Sequence, residues 1–148
     1  EMELGHVIFE TSDDALRTQL AAAGAKPARF FCASRMATTA AEKRALRNST
    51  GADAVEMESE AIQAICRERG IRCATVRVIS DVVDEDLPLD FNRLSNADLN
   101  LNYGKLAWAI ATSPGKIPKL LKLWRQTRVA AEQLANVLAK VISHSPTG

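Results

Sequence analysis

The chain has 148 residues, of which 47% are hydrophobic and 25% are charged, and its formal net charge is +1 at pH 7. This composition is that of a soluble globular domain, and the near-zero net charge gives no whole-chain reason to expect a nucleic-acid partner. No apolar run approaches the roughly 20 residues of a membrane span. Three cysteines at no metal-like spacing are typical of a reduced protein, so we expect one cytoplasmic domain over residues 1–148, without a metal site.

Short strands and helices alternate in the first third of the chain. Strands are predicted at residues 6–10 and 29–32, with a helix between them that starts near Thr11 and Asp14 and ends at Gly24. Thr39 and Glu42 have the spacing of a capping box, in which each side chain bonds the other residue's backbone N–H. The sequence therefore predicts a second helix over residues 40–47.

The middle of the chain has the pattern of a β–α–β unit. A strand is predicted at residues 52–57, a helix at residues 59–69 and the strongest strand of the chain at residues 71–79. Short connections predict that the two strands lie parallel with a right-handed crossover. The apolar side chains of the helix are expected to face inward: Ala61, Ile62, Ile65 and Cys66.

The last part of the chain is predicted to be helical after an acidic loop at residues 81–90. One helix is expected over residues 103–111, and Pro118 suits the first turn of a long helix that runs to about residue 142. The predicted apolar stripe of the long helix is Leu120, Trp124, Ala131, Leu134, Leu138 and Val141. The cations near its start fit either a solvated face or a membrane surface or other anionic partner: Lys119, Lys122, Arg125 and Arg128.

Carboxylates follow two of the predicted strands at the point where each strand ends. Ligands of open α/β sheets bind at such ends, so we expect Glu58 and Asp81 to share one crevice. The dipole of the following helix keeps Glu58 charged, and a charged carboxylate can accept both hydroxyls of a cis-diol such as ribose. Glu56 is expected on the other side of the strand.

Asp81 has a different environment because it follows a strand of aliphatic residues. Partial burial favours the protonated form of a carboxyl group, which could then give a proton to a leaving group. Ser80 could orient Asp81, whereas pairing with Arg77 would favour the charged form. The residues alone leave a second interpretation open, in which Glu56, Glu58 and Asp81 only cap strand and helix ends.

Two of these segments together resemble the purine nucleoside phosphorylase and nucleosidase superfamily. They are Val-Glu-Met-Glu-Ser-Glu-Ala at residues 55–61 and Val-Arg-Val-Ile-Ser-Asp at residues 76–81. The chain looks most like the 5′-methylthioadenosine/S-adenosylhomocysteine nucleosidases and the hopanoid-associated phosphorylases. The resemblance is clearest over residues 51–84 and thinner over residues 30–47, and residues 114–123 resemble the hopanoid-associated branch. It implies a three-layer α/β/α fold with a central mixed, mainly parallel sheet and a helical C-terminus.

The resemblance also implies an activity and a role for each residue of the motif. The substrate-binding residues are Glu56, Met57, Glu58 and Ser80. By resemblance, Glu58 holds the 2′ and 3′ hydroxyls of the ribose, Asp81 protonates or hydrogen-bonds N7 of the base, and Arg77 acts behind them. The implied reaction cleaves the N-glycosidic bond of a purine nucleoside, in the first place an adenosyl nucleoside, by hydrolysis or phosphorolysis. No cofactor is expected beyond phosphate as a co-substrate, and the expected assembly is a homo-oligomer.

The chain departs from the family pattern at two places. It has no glycine-rich phosphate loop, so we expect the N-terminal part of the family domain to be absent or shortened. The segment at residues 33–38, where the family contacts the purine, has neither an aromatic residue nor an acid. Two alternatives therefore stay open: a non-catalytic remnant or nucleoside-binding module, and an unrelated Rossmann-like domain.

Overall fold

A computed structural model describes residues 2–95 and 101–143. The described strands are β1 (Val7–Glu10), β2 (Lys26–Pro27), β3 (Phe30–Cys32), β4 (Ala54–Glu56) and β5 (Thr75–Val78). The described helices are α1 (Asp14–Ala22), α2 (Ala40–Thr50), α3 (Ser59–Glu68), α4 (Phe91–Leu94), α5 (Tyr103–Thr112) and α6 (Ile117–Ser143), and a 3-10 turn, Pro114–Lys116, precedes α6. None of these helices is long and apolar enough to cross a membrane.

The strands form two groups rather than one continuous sheet. In the first group, β1 lies between β2, to which it is parallel, and β5, to which it is antiparallel, with Ile8 opposite Arg77. The second group is the parallel pair of β3 and β4. The expected mixed α/β fold with a mixed sheet and a helical C-terminus is confirmed. The predicted parallel pairing of the strands on either side of α3 is wrong, because β4 pairs with β3 and β5 pairs with β1.

The hydrophobic core lies on one face of the three-stranded sheet. Alternate residues of a strand point to opposite faces, so Val7 and Phe9 meet Leu20 of α1 and Val137 of α6. The predicted stripe of α6 is partly wrong, since its buried residues include Ala130 and Val137 whereas Trp124 and Leu138 are exposed. The observed buried positions, Ala130 and Val137, are each one residue before the predicted positions, Ala131 and Leu138. One residue corresponds to a rotation of about 100° around the helix axis. Because apolar residues occur on more than one side of α6, the sequence pattern did not distinguish the two orientations.

The start of α2 follows the sequence prediction. Thr39 Oγ1 accepts the N–H of Glu42 at 3.2 Å, and Glu42 Oε2 accepts the N–H of Thr39 at 3.3 Å. The capping box is confirmed, and the helix continues three residues further than predicted, to Thr50. It ends there because Gly51 adopts a left-handed conformation, with φ of 67°.

The predicted inward face of α3 is wrong. Ile62 and Ile65 are 54% and 51% exposed. The prediction assumed one parallel sheet beneath the helix, but β4 and β5 belong to different groups of strands, so α3 covers no continuous sheet. A hydrogen bond of 2.9 Å from Gln63 Nε2 to Thr75 Oγ1 joins α3 to β5.

Candidate functional site

A cavity of about 580 Å³ lies beside the carboxyl ends of β4 and β5. Its walls come from these two strands and the residues that follow them, from α2 and the segment before it, and from the inner face of α6. All the residues that the sequence proposed for the site line this cavity: Glu56, Met57, Glu58, Arg77, Ser80 and Asp81. The structure therefore brings Glu58 and Asp81 to one hollow.

Asp81 is paired with a largely buried lysine. Lys43 Nζ lies 2.5 Å from Asp81 Oδ2 and also donates to the carbonyls of Val82, at 2.9 Å, and Glu85, at 2.8 Å. The Lys43 side chain is only 11% exposed. Ser80 Oγ donates to the other oxygen of Asp81 at 3.2 Å, as an orienting residue would. Lys43 holds the Asp81 carboxylate in position, yet sequence analysis did not identify Lys43 as a site residue.

Arg77 lies between the two glutamates and not beside Asp81. Its Nη2 donates to Glu58 Oε2 at 2.7 Å and to Glu56 Oε2 at 3.1 Å. The expectation that Glu56 lies on the other side of the strand is wrong, because residues two apart on an extended chain share a face. Arg77 Nε is buried and has no hydrogen-bond acceptor among the described residues. Glu58 is 70% exposed, and its Oε1 has no bond to the described part of the chain.

Glu56 holds the start of α3. It accepts the backbone N–H groups of Glu58, at 2.9 Å, and Ser59, at 2.8 Å, and the Ser59 hydroxyl at 2.5 Å. Burial alone would raise the pKa of Glu56, but these donors and Arg77 outweigh it and lower the pKa from 4.5 to about 2. The capping interpretation therefore describes Glu56 well. It does not describe Glu58, whose side chain makes no capping bond although it occupies the N-cap position.

The low pKa of Glu56 predicts acid sensitivity. Its stabilising effect is complete above pH 4.5, the ordinary value, and is lost as the pH falls towards 2. Glu56→Gln is expected to lower the free energy of unfolding by roughly 2–3 kcal/mol at pH 7, and the difference from wild type should shrink below pH 4.5. Urea unfolding at a series of pH values measures this difference.

Glu60→Gln is the matched control, because Glu60 is an exposed acid in the first turn of the same helix. It is expected to cost less than about 1 kcal/mol. Equal losses for the two variants at pH 7 would contradict the assignment.

The aromatic side chains that line the cavity do not come from residues 33–38, the segment where the family contacts the purine. Phe30 of β3 and Phe91 of α4 line it. Asn92 fixes the neighbouring wall, since its Oδ1 accepts the N–H of Met36 at 3.0 Å and its Nδ2 donates to the Met36 carbonyl at 2.8 Å. The lack of an aromatic residue at residues 33–38 therefore does not leave the cavity without aromatic walls. Phe91 carries no local signal of this role, because it follows an acidic loop far along the chain.

The charged residues that line the cavity are equal in number for the two signs, but one of the cations is not paired with an acid among the described residues. Four acids line it, and each accepts at least one bond from the protein: Asp53, Glu56, Glu58 and Asp81. Four cations line it as well: Arg35, Lys43, Arg47 and Arg77. Arg47 is different from the other three, because its guanidinium makes no ion pair with the described residues. An anion that entered the cavity would therefore find an unpaired cation.

Comparison with known proteins gives one match. The model of a family described as the phosphorylase superfamily matches residues 10–107, about two thirds of the chain. The matched region includes the ends of β4 and β5 and all six residues that the sequence proposed for the site. Searches of curated proteins and of solved structures gave no significant match.

Proposed function

The chain belongs to the phosphorylase superfamily, whose members act on nucleosides, and on that premise we propose that it cleaves the N-glycosidic bond of a purine nucleoside, in the first place an adenosyl nucleoside. The observation that carries this proposal is the pair of carboxylates at the cavity. Glu58 and Asp81 come from the ends of two strands, and each is held by its own cation, Arg77 or Lys43. One carboxylate is assigned to the sugar and the other to the base.

Glu58 is the proposed ribose contact, and Arg77 holds it in place. Arg77 occupies one oxygen of the Glu58 carboxylate, which leaves Oε1 for the sugar hydroxyls. Arg77 Nε is buried, so Arg77 acts on the sugar through Glu58 rather than by direct contact. Met57 lies between Glu56 and Glu58 at the same wall and supplies an apolar contact to the sugar.

Asp81 and Lys43 together are the proposed acid. A neighbouring ammonium stabilises a carboxylate, so a neutral Asp81 by itself is not the simplest proton donor here. As the bond between C1′ and N9 breaks, its electron pair moves into the purine, and Asp81 relays a proton from Lys43 to N7. Lys43 is left as a neutral amine, and Asp81 is again a carboxylate. The ribosyl cation then bonds to the nucleophile.

Phosphate is the nucleophile that the cavity favours. Hydrolysis needs a general base, but three of the four lining carboxylates among the described residues, Glu56, Glu58 and Asp81, are already paired with a cation. Arg47 offers an unpaired guanidinium that can bind phosphate through two parallel hydrogen bonds. The same engaged carboxylates also suit the alternative, a nucleoside-binding module without nucleophile activation.

The test is incubation with 5′-methylthioadenosine, S-adenosylhomocysteine and adenosine, with and without phosphate, followed by chromatography for free adenine. We expect adenine only when phosphate is present. Release in water alone would indicate hydrolysis. Binding without release would indicate the binding module. Neither binding nor release would contradict a nucleoside site at this cavity.

Glu58→Gln is expected to weaken both substrate binding and turnover. The amide removes the charge that strengthens the hydrogen bonds to the ribose, and charge-assisted bonds contribute about 1.5–3 kcal/mol each. We therefore expect a roughly 10- to 100-fold lower kcat/KM, divided between kcat and KM. Steady-state kinetics with Glu60→Gln as the control measures this, and a kcat/KM equal to that of the control would remove Glu58 from the sugar site.

A further inference from the structure

Positive charge is concentrated in one segment of the chain. Residues 101–131 contain six cations and no acid, although the whole chain has a net charge of only +1. The six are Lys105, Lys116, Lys119, Lys122, Arg125 and Arg128. Lys116, Lys119 and Arg125 make no ion pair with the described residues. The segment comprises α5 and the first half of α6, so these helices carry a charge opposite to that of the remaining chain.

The first half of α6 also has a second apolar stripe. Ile117, Leu121 and Trp124 are spaced four and three residues apart, so they share one helical face, and all three are exposed. We call them the outer stripe. By helical spacing this stripe lies away from the buried Ala130, and Arg128 packs over the Trp124 ring at 5.9 Å. By helical spacing Arg125 and Arg128 lie within about 75° of the outer stripe, whereas Lys119 and Lys122 lie on the far side of the helix. The outer face of α6 therefore combines three apolar side chains with two arginines.

A second, open groove lies along α5 and is also lined by cations. Its volume is about 680 Å³, and its lining includes Arg93, Lys105, Lys116 and Trp108. Trp108 is exposed. Asp90 also lines the groove, but its carboxylate caps α4 by accepting the N–H groups at the start of that helix. Both tryptophans of the chain are therefore exposed among cations.

We propose that α5 and the outer stripe of α6 dock on an anionic membrane surface. Helices that lie in the plane of the membrane interface combine Trp and Leu on one side with Lys and Arg beside them, and they bind through apolar burial plus attraction to anionic lipids. Lys122 and Arg128 are paired with Glu85 and Glu132. Lys105 and Lys116 in the groove and Arg125 beside the outer stripe make no ion pair with the described residues, and a uniformly negative surface complements them. Near such a surface each cation strengthens binding about fivefold. The inner face of α6 contributes Leu123 to the cavity, so docking by the outer stripe leaves the cavity wall in place.

The test is flotation of the full chain with vesicles of phosphatidylcholine alone and with about one third of phosphatidylglycerol added. The double variant Lys116→Glu/Arg125→Glu reverses two cations that make no ion pair with the described residues, one in the groove and one beside the outer stripe. Arg67→Glu/Arg69→Glu is the matched control, because it changes the net charge equally at exposed positions near the end of α3. A third variant, Leu121→Ser/Trp124→Ser, removes two of the three residues of the outer stripe and keeps the charge.

We expect binding only to the anionic vesicles, with weakening at about 0.5 M salt and a blue shift of the tryptophan emission. The Lys116→Glu/Arg125→Glu variant should lose at least about tenfold in partitioning, and the α3 control should bind like wild type. No flotation, equal losses in the two charge variants, or equal binding to neutral vesicles would overturn the proposal. A dimer in solution that Leu121→Ser/Trp124→Ser dissociates, without vesicle binding by the wild type, would instead assign the outer stripe to a second copy of the chain and overturn it too.

Discussion

Asp81→Asn is expected to lower kcat by roughly 10²- to 10⁴-fold and to change KM by less than about threefold. An asparagine fills the same space and can still accept the Ser80 hydroxyl, so the shape of the cavity and substrate binding should persist. What the amide cannot do is transfer a proton from Lys43 to the purine as the glycosidic bond breaks. The loss should therefore appear in the chemical step, which single-turnover release of adenine measures directly.

Asp84→Asn is the matched control for this variant. Asp84 lies three positions further along the same loop and is paired with Arg44, but both side chains are more than half exposed. Its replacement should leave kcat unchanged. An Asp81→Asn enzyme with the wild-type rate would end the acid role of the Lys43–Asp81 pair, whatever its stability.

Local patterns were sufficient to predict the ends of strands and the start of helices. The capping box of Thr39 and Glu42 involves residues three apart, and its two bonds formed as the spacing predicted. The carboxylates that follow β4 and β5 were assigned to one hollow because polar residues at strand ends meet there, and both line the cavity. These features depend on residues that are neighbours in the sequence, so the sequence contains most of the information that determines them.

Strand pairing was not predictable in the same way. The antiparallel register of Val7 with Val78 joins residues that are 71 positions apart (78 − 7), and aliphatic strands of either group have the same local pattern. The error over β4 and β5 then led to the second error, the inward face assigned to Ile62. A helix buries its apolar stripe only where the fold provides a surface beneath it. The prediction assumed that β4 and β5 form one sheet beneath α3, whereas in the structure they belong to two separate sheets.

Lys43 was missed for a related reason. It lies in Ala-Glu-Lys-Arg-Ala, a sequence typical of a solvated helical face. Its carbonyl acceptors, Val82 and Glu85, lie 39 and 42 positions later. Nothing in the amino-acid sequence distinguishes Lys43 from Arg44, its exposed neighbour. Only the position of the 81–85 loop against α2 makes one of them a component of the site.

Lys43→Met is therefore expected to be among the most damaging single substitutions in the chain. Methionine fills the volume but leaves the Asp81 carboxylate and two carbonyls without their common donor. Breaking a buried ion pair from one side is strongly destabilising, and because Asp81 is one-third exposed we expect about 2–4 kcal/mol. Thermal unfolding should show a midpoint lowered by about 5–15 °C, and adenine release should fall with it.

Arg44→Met on the same turn of α2 is the matched control, since its ion pair with Asp84 is exposed and should contribute less than about 1 kcal/mol. A double-mutant cycle with Asp81→Asn then separates the ion pair from the lost packing. Once Asp81 is neutral, removing Lys43 leaves no unpaired charge, so Lys43→Met should cost about 1–2 kcal/mol less in the Asp81→Asn background. Additive losses would mean that Lys43 stabilises the 81–85 loop only through the carbonyls of Val82 and Glu85. The proton for the leaving purine would then have to come from Asp81 without a partner.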